Sequence, residues 1–128
     1  MTPAADRLLF AIVEDDPFMA QLVSDMLAYA SVDVEVFLLG TDILHSANLP
    51  MFKTIILDLS LPDMDVFDLM DKLAADSNGV SVLLMSGHDM ATLHGATLYA
   101  NGIGLNVRGA LTKPFTRGDL FTALGITG

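Results

Sequence analysis

Four polar signals follow four apolar runs in this chain. The acidic triplet Glu14-Asp15-Asp16 comes after LLFAIV, Asp58 after TIIL, Ser86 after VSVLLM and Lys113 after VRGALT. Carboxylates brought to one place repel each other strongly, so they either share protons or hold a cation. With oxygen ligands only and no cysteine in the chain, the ion that fits is a hard one, Mg²⁺, which keeps several of its waters. Such an ion would neutralise the approach of a phosphoryl group to Asp58, whose carboxylate could attack phosphorus in line and form an aspartyl phosphate. The Ser86 hydroxyl could then donate to one phosphoryl oxygen while Lys113 pairs with another, where charge spreads during transfer.

For these residues to meet, the chain must bring the ends of four apolar runs to one edge. Five stretches read as strands: 8–13, 32–37, 54–57, 80–85 and 107–112. Runs 1, 3 and 4 are apolar nearly throughout, as central parallel strands covered on both faces must be, whereas VDVEVF alternates and suits an edge. Between them, Met19, Leu22, Val23, Met26 and Leu27 recur at helical spacing, which predicts a helix over 17–29 with Pro17 in its first turn. Val66, Leu69, Met70, Leu73 and Ala74 repeat that stripe. Shorter helices are expected at 41–47 and 117–124, and a weaker stripe covers 90–101. Alternating runs and stripes predict an α/β sheet protein, and in an open parallel sheet the C-terminal strand ends share the edge where ligands bind.

The 128 residues suffice for one domain with a real core, and a single domain over 1–128 is expected, its ordered core at about 7–125. Sixteen acidic against six basic side chains give a net charge of −10, which disfavours direct binding to nucleic acid or to anionic membranes. The absence of cysteine excludes disulfides, thiolate metal sites and thiol catalysis, and it agrees with a reducing compartment. No apolar run is long enough to span a bilayer and the first residues lack the pattern of a signal peptide, so a cytoplasmic location is expected.

The motifs AIVEDDPFMAQLV, IILDLSLPDMD, LLMSG and LTKPF, in this order and spacing, resemble the receiver domain of two-component response regulators. That resemblance implies a flavodoxin-like, doubly wound sheet of five parallel strands in the order 2-1-3-4-5, with helices on both faces. It implies that Asp58 accepts a phosphoryl group from a phosphohistidine of a sensor histidine kinase or phosphotransfer protein, in phosphorelay signalling. Asp15 and Asp58 would touch Mg²⁺ directly, Ser60 would offer it a backbone carbonyl and Glu14 would reach it through water. Ser86 and Lys113 stand at the family's hydroxyl and lysine positions, with the Lys113–Pro114 bond commonly cis. His88, two residues past Ser86, would modulate phosphoryl hydrolysis. A face made of helix 4, strand 5 and helix 5 would carry the output to an effector or output domain. The chemistry would be confined to the protein's own phosphorylation and dephosphorylation, so it is not an enzyme in the ordinary sense. The stretch IGLNVRGALTKPFTRGDLFTAL is further similar to receivers attached to cyclic diguanylate phosphodiesterase domains, and a stand-alone regulator and a receiver of a longer protein both remain open.

Plainer readings hold for other residues. Asp16 before Pro17 fits a helix N-cap, and Asp63 and Asp65 fit loop and capping roles near a helix start. His45 and His94 fit surface or packing positions, and methionines such as Met19, Met26 and Met70 fit core fillers. The chain departs from the family at Val66, where glycine is usual and a reshaped turn is expected, and at Ala110, where an aromatic is frequent. In the switch region, Ala110 and Pro114, no ring is available to rotate, so the expected route for a signal is backbone motion at 87–90 and 101–109. Two other functions compete: a pseudo-receiver serving as a constitutive interaction module, and a phosphatase with an aspartate nucleophile of the haloacid dehalogenase type. The latter wants a second Asp where this chain has Ser60.

Overall fold

A computed structural model describes residues 7–76, 79–87 and 89–126. The chain alternates strands and helices in the order β1 (Leu8–Val13), α1 (Pro17–Leu27), β2 (Val32–Phe37), α2 (Gly40–Leu44), β3 (Phe52–Asp58), α3 (Val66–Asp76), β4 (Ser81–Ser86), α4 (Met90–Gly102), β5 (Asn106–Thr112) and α5 (Arg117–Leu124). A single 3₁₀ turn at Leu49–Met51, built around Pro50, leads into β3. The strands form one parallel sheet in the order 2-1-3-4-5, a flavodoxin-like fold.

The alternation of side chains along each central strand builds two separate cores. Ala11 and Val13, Ile55 and Leu57, Val82 and Leu84 point to the layer holding Ile43, Leu69, Met70, Leu73, Leu93 and Ala96. Phe10 and Ile12, Ile56, Leu83 and Met85 point to the opposite layer, against Ala20, Val23, Leu27, Leu120, Phe121 and Leu124. Thus α2, α3 and α4 cover one face, and α1 and α5 cover the other. Since a slip of one residue would send every side chain to the wrong layer, these two cores fix the register of β1, β3 and β4. Fixing the register fixes where each strand ends.

The expected boundaries shift at a few places. β3 starts earlier than 54, with Phe52 buried and Lys53 exposed, and it includes Asp58 as its last residue. β4 likewise includes Ser86. The helix expected over 17–29 ends at Leu27, and that expected at 41–47 closes at Leu44, where the His45 ring turns back to the Thr41 carbonyl. At Val66 helix α3 begins with the side chain buried, and among the described residues no residue other than glycine has a positive φ. The departure from glycine at that position is therefore absorbed without backbone strain, because Val66 contributes to the core.

One buried polar pair interrupts the apolar interior. Thr54 Oγ1 and Ser81 Oγ lie 2.6 Å apart across β3 and β4, and Ser81 also donates to the Lys53 carbonyl at 3.1 Å. With the Ser81 proton given to Lys53, the Thr54 hydroxyl donates to Ser81, so removing Ser81 alone leaves the buried Thr54 hydroxyl unpaired while removing both does not. Ser81→Ala should cost about 1–2 kcal/mol in urea unfolding, and Thr54→Val combined with Ser81→Ala should cost less than the sum of the single changes. Additive losses would show that the hydroxyls act independently.

Candidate functional site

The C-terminal ends of β1, β3 and β4, with the loop after β5, converge at the middle of one sheet edge. Asp58, 1% exposed, is the last residue of β3, and Glu14, also 1% exposed, directly follows β1. Glu14 is held by its backbone, whose N–H donates to the Phe37 carbonyl at 3.0 Å, and by its own Oε2, which accepts from the Asp16 N–H at 3.1 Å. Asp15 beside it is exposed. Oxygen atoms of Glu14, Asp15 and Asp58 all lie within 4.8 Å of one another, a group able to hold a metal ion. The donor set is all carboxylate, at the surface end of a buried cleft, which suits a hard cation with part of its water shell retained.

Lys113 supplies the opposing charge. Its backbone N–H donates to the Ser86 carbonyl at 2.8 Å, which anchors the residue just past β5. From there Nζ reaches Glu14 Oε1 at 2.5 Å and Asp58 Oδ1 at 3.4 Å. The Lys113–Pro114 peptide is cis, as the resemblance implies. Burial pushes the Glu14 carboxyl up to about 7, with the charge of Asp58 adding to the rise, and the bonds from Lys113 and the Asp16 N–H only partly oppose it. For Lys113, burial favours the neutral amine, but the bond to Glu14 and the charge on Asp58 outweigh it and raise its pKa. The Glu14 shift thus reflects chiefly the loss of water around a buried carboxyl, and the Lys113 shift the two carboxylates its ammonium faces.

Two loops complete the edge. After Asp58, Leu59 donates to the Met85 carbonyl at 2.9 Å, and the Ser60 N–H points back to Asp58 Oδ1 at 3.4 Å. A cavity of about 220 Å³ opens between this loop and the one after β4, lined by Leu59, Ser60, Ser86, Gly87, Asp89 and Thr92. Ser86, 5% exposed, contributes to it from the end of β4. Of the residues singled out in the sequence, Glu14, Asp15, Asp58, Ser60, Ser86 and Lys113 therefore meet at one edge, while Ala110 is exposed on β5. His88 lies outside the described residues.

The capping residues divide differently from expectation. Asp16 caps α1 through the Phe18 N–H at 3.0 Å, and Asp65 caps α3 through the Phe67 N–H at 2.7 Å, both as expected. Asp63 also caps a helix, but a distant one: its two oxygens accept from the Gly40 and Thr41 N–H groups of α2, each at 3.0 Å. Partners 23 and 22 residues away carry no local sequence signal. Asp89 and Thr92 were not singled out either. Asp89 caps α4, accepting from the Ala91 and Thr92 N–H groups and from the Thr92 hydroxyl, and a capping pattern three residues past Ser86 was the available clue.

Comparison with known proteins agrees with this geometry. The family model for the response regulator receiver domain matches residues 10–125. The probable transcriptional regulatory protein TcrX of Mycobacterium tuberculosis is 30% identical over 105 residues, covering 82% of this chain and 43% of that protein. The cell cycle response regulator CtrA of Brucella ovis is 28% identical over 113 residues, covering 88% of this chain and 47% of that protein. The chain thus spans less than half the length of these curated relatives. Among solved structures, a response regulator from Colwellia psychrerythraea is 32% identical with a TM-score of 0.79, covering 92% of this chain and 94% of its own. A CheY-like receiver domain protein from Methanospirillum hungatei shares the fold, with a TM-score of 0.79 at 20% identity and coverage of 94% and 92%. With its sheet order, its acidic cleft and a family match across nearly all of its described residues, this chain belongs to the response regulator receiver domain family.

Proposed function

We propose that Asp58 is the phosphoacceptor of this receiver and that Mg²⁺ bound by Asp15, Asp58 and the Ser60 carbonyl, with Glu14 reaching it through water, assists the transfer. The observation that carries this reading is the placement of the Asp58 carboxylate, grouped with Glu14 and Asp15 within 4.8 Å and 3.4 Å from Lys113 Nζ. When bound, the ion would offset negative charge on the incoming phosphoryl oxygens. One Asp58 oxygen forms a bond to phosphorus as the phosphorus–nitrogen bond of a phosphohistidine breaks, its electron pair returning to the imidazole. Lys113 is positioned to pair with a phosphoryl oxygen once Asp58 gives up part of its charge, and Ser86 to donate its hydroxyl to another. Attack by water on phosphorus then releases inorganic phosphate and restores the carboxylate. His88 is proposed to modulate that hydrolysis.

The donor is proposed to be a sensor histidine kinase or phosphotransfer protein in the cytoplasm, and the output to leave through α4, β5 and α5, including Ala110 and Pro114, toward an effector or an output domain. The net charge of −10 disfavours direct contact with nucleic acid by this domain. No helix of the described residues is long and apolar enough to cross a membrane. Asp58→Asn, nearly isosteric but without a nucleophilic oxygen anion, should abolish phosphorylation while keeping a native circular dichroism spectrum. Intact-mass measurement after incubation with Mg²⁺ and acetyl phosphate tests this. A phosphoryl adduct on the variant at the rate of the native protein would exclude Asp58 as acceptor, and rapid consumption of donor without an adduct on the native protein would indicate a phosphatase instead.

The burial of Glu14, with the charge of Asp58 adding to it, also sets a pH dependence for the metal-free protein. Glu14 binds its proton more tightly when folded, up to about pH 7, than in the unfolded chain, where the ordinary value is 4.5. Across that window the folded state holds more protons, so stability falls as pH rises from about 5 to about 7. The raised pKa of Lys113 acts above this window, and the lowered pKa of Asp63 acts below it. In chelator, urea unfolding should show the native protein losing on the order of 2 kcal/mol between pH 5 and 7.5 relative to Glu14→Gln. Parallel pH profiles for the two proteins would assign the slope to other groups.

A further inference from the structure

The loop that carries Ser60 runs from the end of β3 to the start of α3, and the described residues fix it at few points. Leu59 is tied to β4 through the Met85 carbonyl, and Asp65 belongs to the cap of α3. Between them, Leu61 is buried at 8% exposure while Ser60 and Pro62 are exposed. The remaining tie is Asp63, whose two oxygens each take one backbone N–H at the start of α2, at 3.0 Å. Bidentate capture of this kind locates a carboxylate in two directions at once, and a charged acceptor makes the bonds stronger than neutral ones. Against a small cost of burial, these bonds and the Thr41 hydroxyl hold the Asp63 carboxyl below its ordinary pKa. The next residue closes the same contact: a methyl group at Gly40 would come within 2.8 Å of Met64 Sδ and 3.2 Å of Leu69 Cδ2, so helix and loop are packed face to face.

We propose that Asp63 is a positioning residue for the metal site, holding the β3–α3 loop on α2 so that the Ser60 carbonyl is set in place before the ion arrives. The inference rests on the reading of Asp15, Asp58 and Ser60 as Mg²⁺ ligands. Mg²⁺ demands near-octahedral geometry at short distances, so a ligand that must first be ordered weakens it; Ca²⁺ accepts longer and more variable arrangements and tolerates a loose carbonyl. Loss of the clasp should therefore change the discrimination between the two ions, an effect that lost stability alone would not produce. Residues that orient metal ligands directly typically change affinity 10–100-fold; acting through three residues of loop, Asp63 should matter less, by about three- to tenfold.

The test is a titration of the metal-free protein with MgCl₂ and, separately, with CaCl₂, followed by amide chemical shifts of residues 58–61. Asp63→Ala should weaken Mg²⁺ by about three- to tenfold and Ca²⁺ by about twofold or less. Asp63→Asn, which retains one acceptor oxygen, should fall between and serves if the alanine variant does not fold. Asp42→Asn removes an exposed charge from the same helix without touching the clasp and should leave the ratio of the two affinities unchanged. Asp15→Asn, which removes a direct ligand, should weaken both ions strongly. Unchanged Mg²⁺ affinity in the Asp63 variants, or a loss equal for both ions, overturns the positioning role. Unchanged affinity in Asp15→Asn overturns the metal assignment beneath it.

Discussion

The constraint on which this structure depends is the gathering of three carboxylates, of which the two buried ones share one ammonium group. Left to themselves, Glu14, Asp15 and Asp58 would push their strands apart or take up protons. Lys113 offsets part of that repulsion, but burial, with the charge of Asp58 adding to it, still raises the pKa of Glu14. A cleft in this state is built for more positive charge than the protein provides. The same crowding that burdens the cleft is what suits it to the cation and the phosphoryl group proposed for it.

Strain of this sort persists only in a frame stiff enough to bear it, and the frame is the pair of apolar cores on either face of the sheet. Every central strand contributes to both, so no strand can retreat from the cleft without uncovering buried surface on two sides. Burying a single large aliphatic side chain contributes about 1.5–3 kcal/mol, and the central strands hold many. That sum comfortably exceeds the cost of placing one or two carboxylates at their ends, so packing wins and electrostatics adapts.

This division explains what could be read from the chain beforehand. The central strands are long apolar runs, and their ends are marked by the first polar residue after each, so Glu14, Asp58, Ser86 and Lys113 were legible as a group. Local capping was legible too, since Asp16 and Asp65 bond N–H groups two residues on. Contacts between distant elements were not. Asp63 and Asp65 look alike in the sequence, but one serves its own helix and the other α2, a choice made by the direction the loop takes in space. Tyr99 likewise bonds Asp71 on α3 at 2.7 Å and meets the Phe67 ring edge-on at 4.9 Å, an arrangement set by how α4 lies against α3. The early start of β3 carries no apolar signal because the exposed Lys53 interrupts the run after Phe52.

The lysine and the glutamate that balance each other in the cleft stand 99 residues apart. A chain emerging from the ribosome presents the acidic triplet early and completes β1, β3 and β4 well before residue 113 is synthesised. Until β5 adds to the edge of the sheet, the acidic ends of β1 and β3 face one another without their internal counter-ion. Closing so long a loop is among the slower steps in assembling a domain. Docking of β5 brings Lys113 to the cleft and supplies that counter-ion. Without that strand Glu14 and Asp58 have no lysine between them, so the last-made part of the sheet is also the part that balances the first.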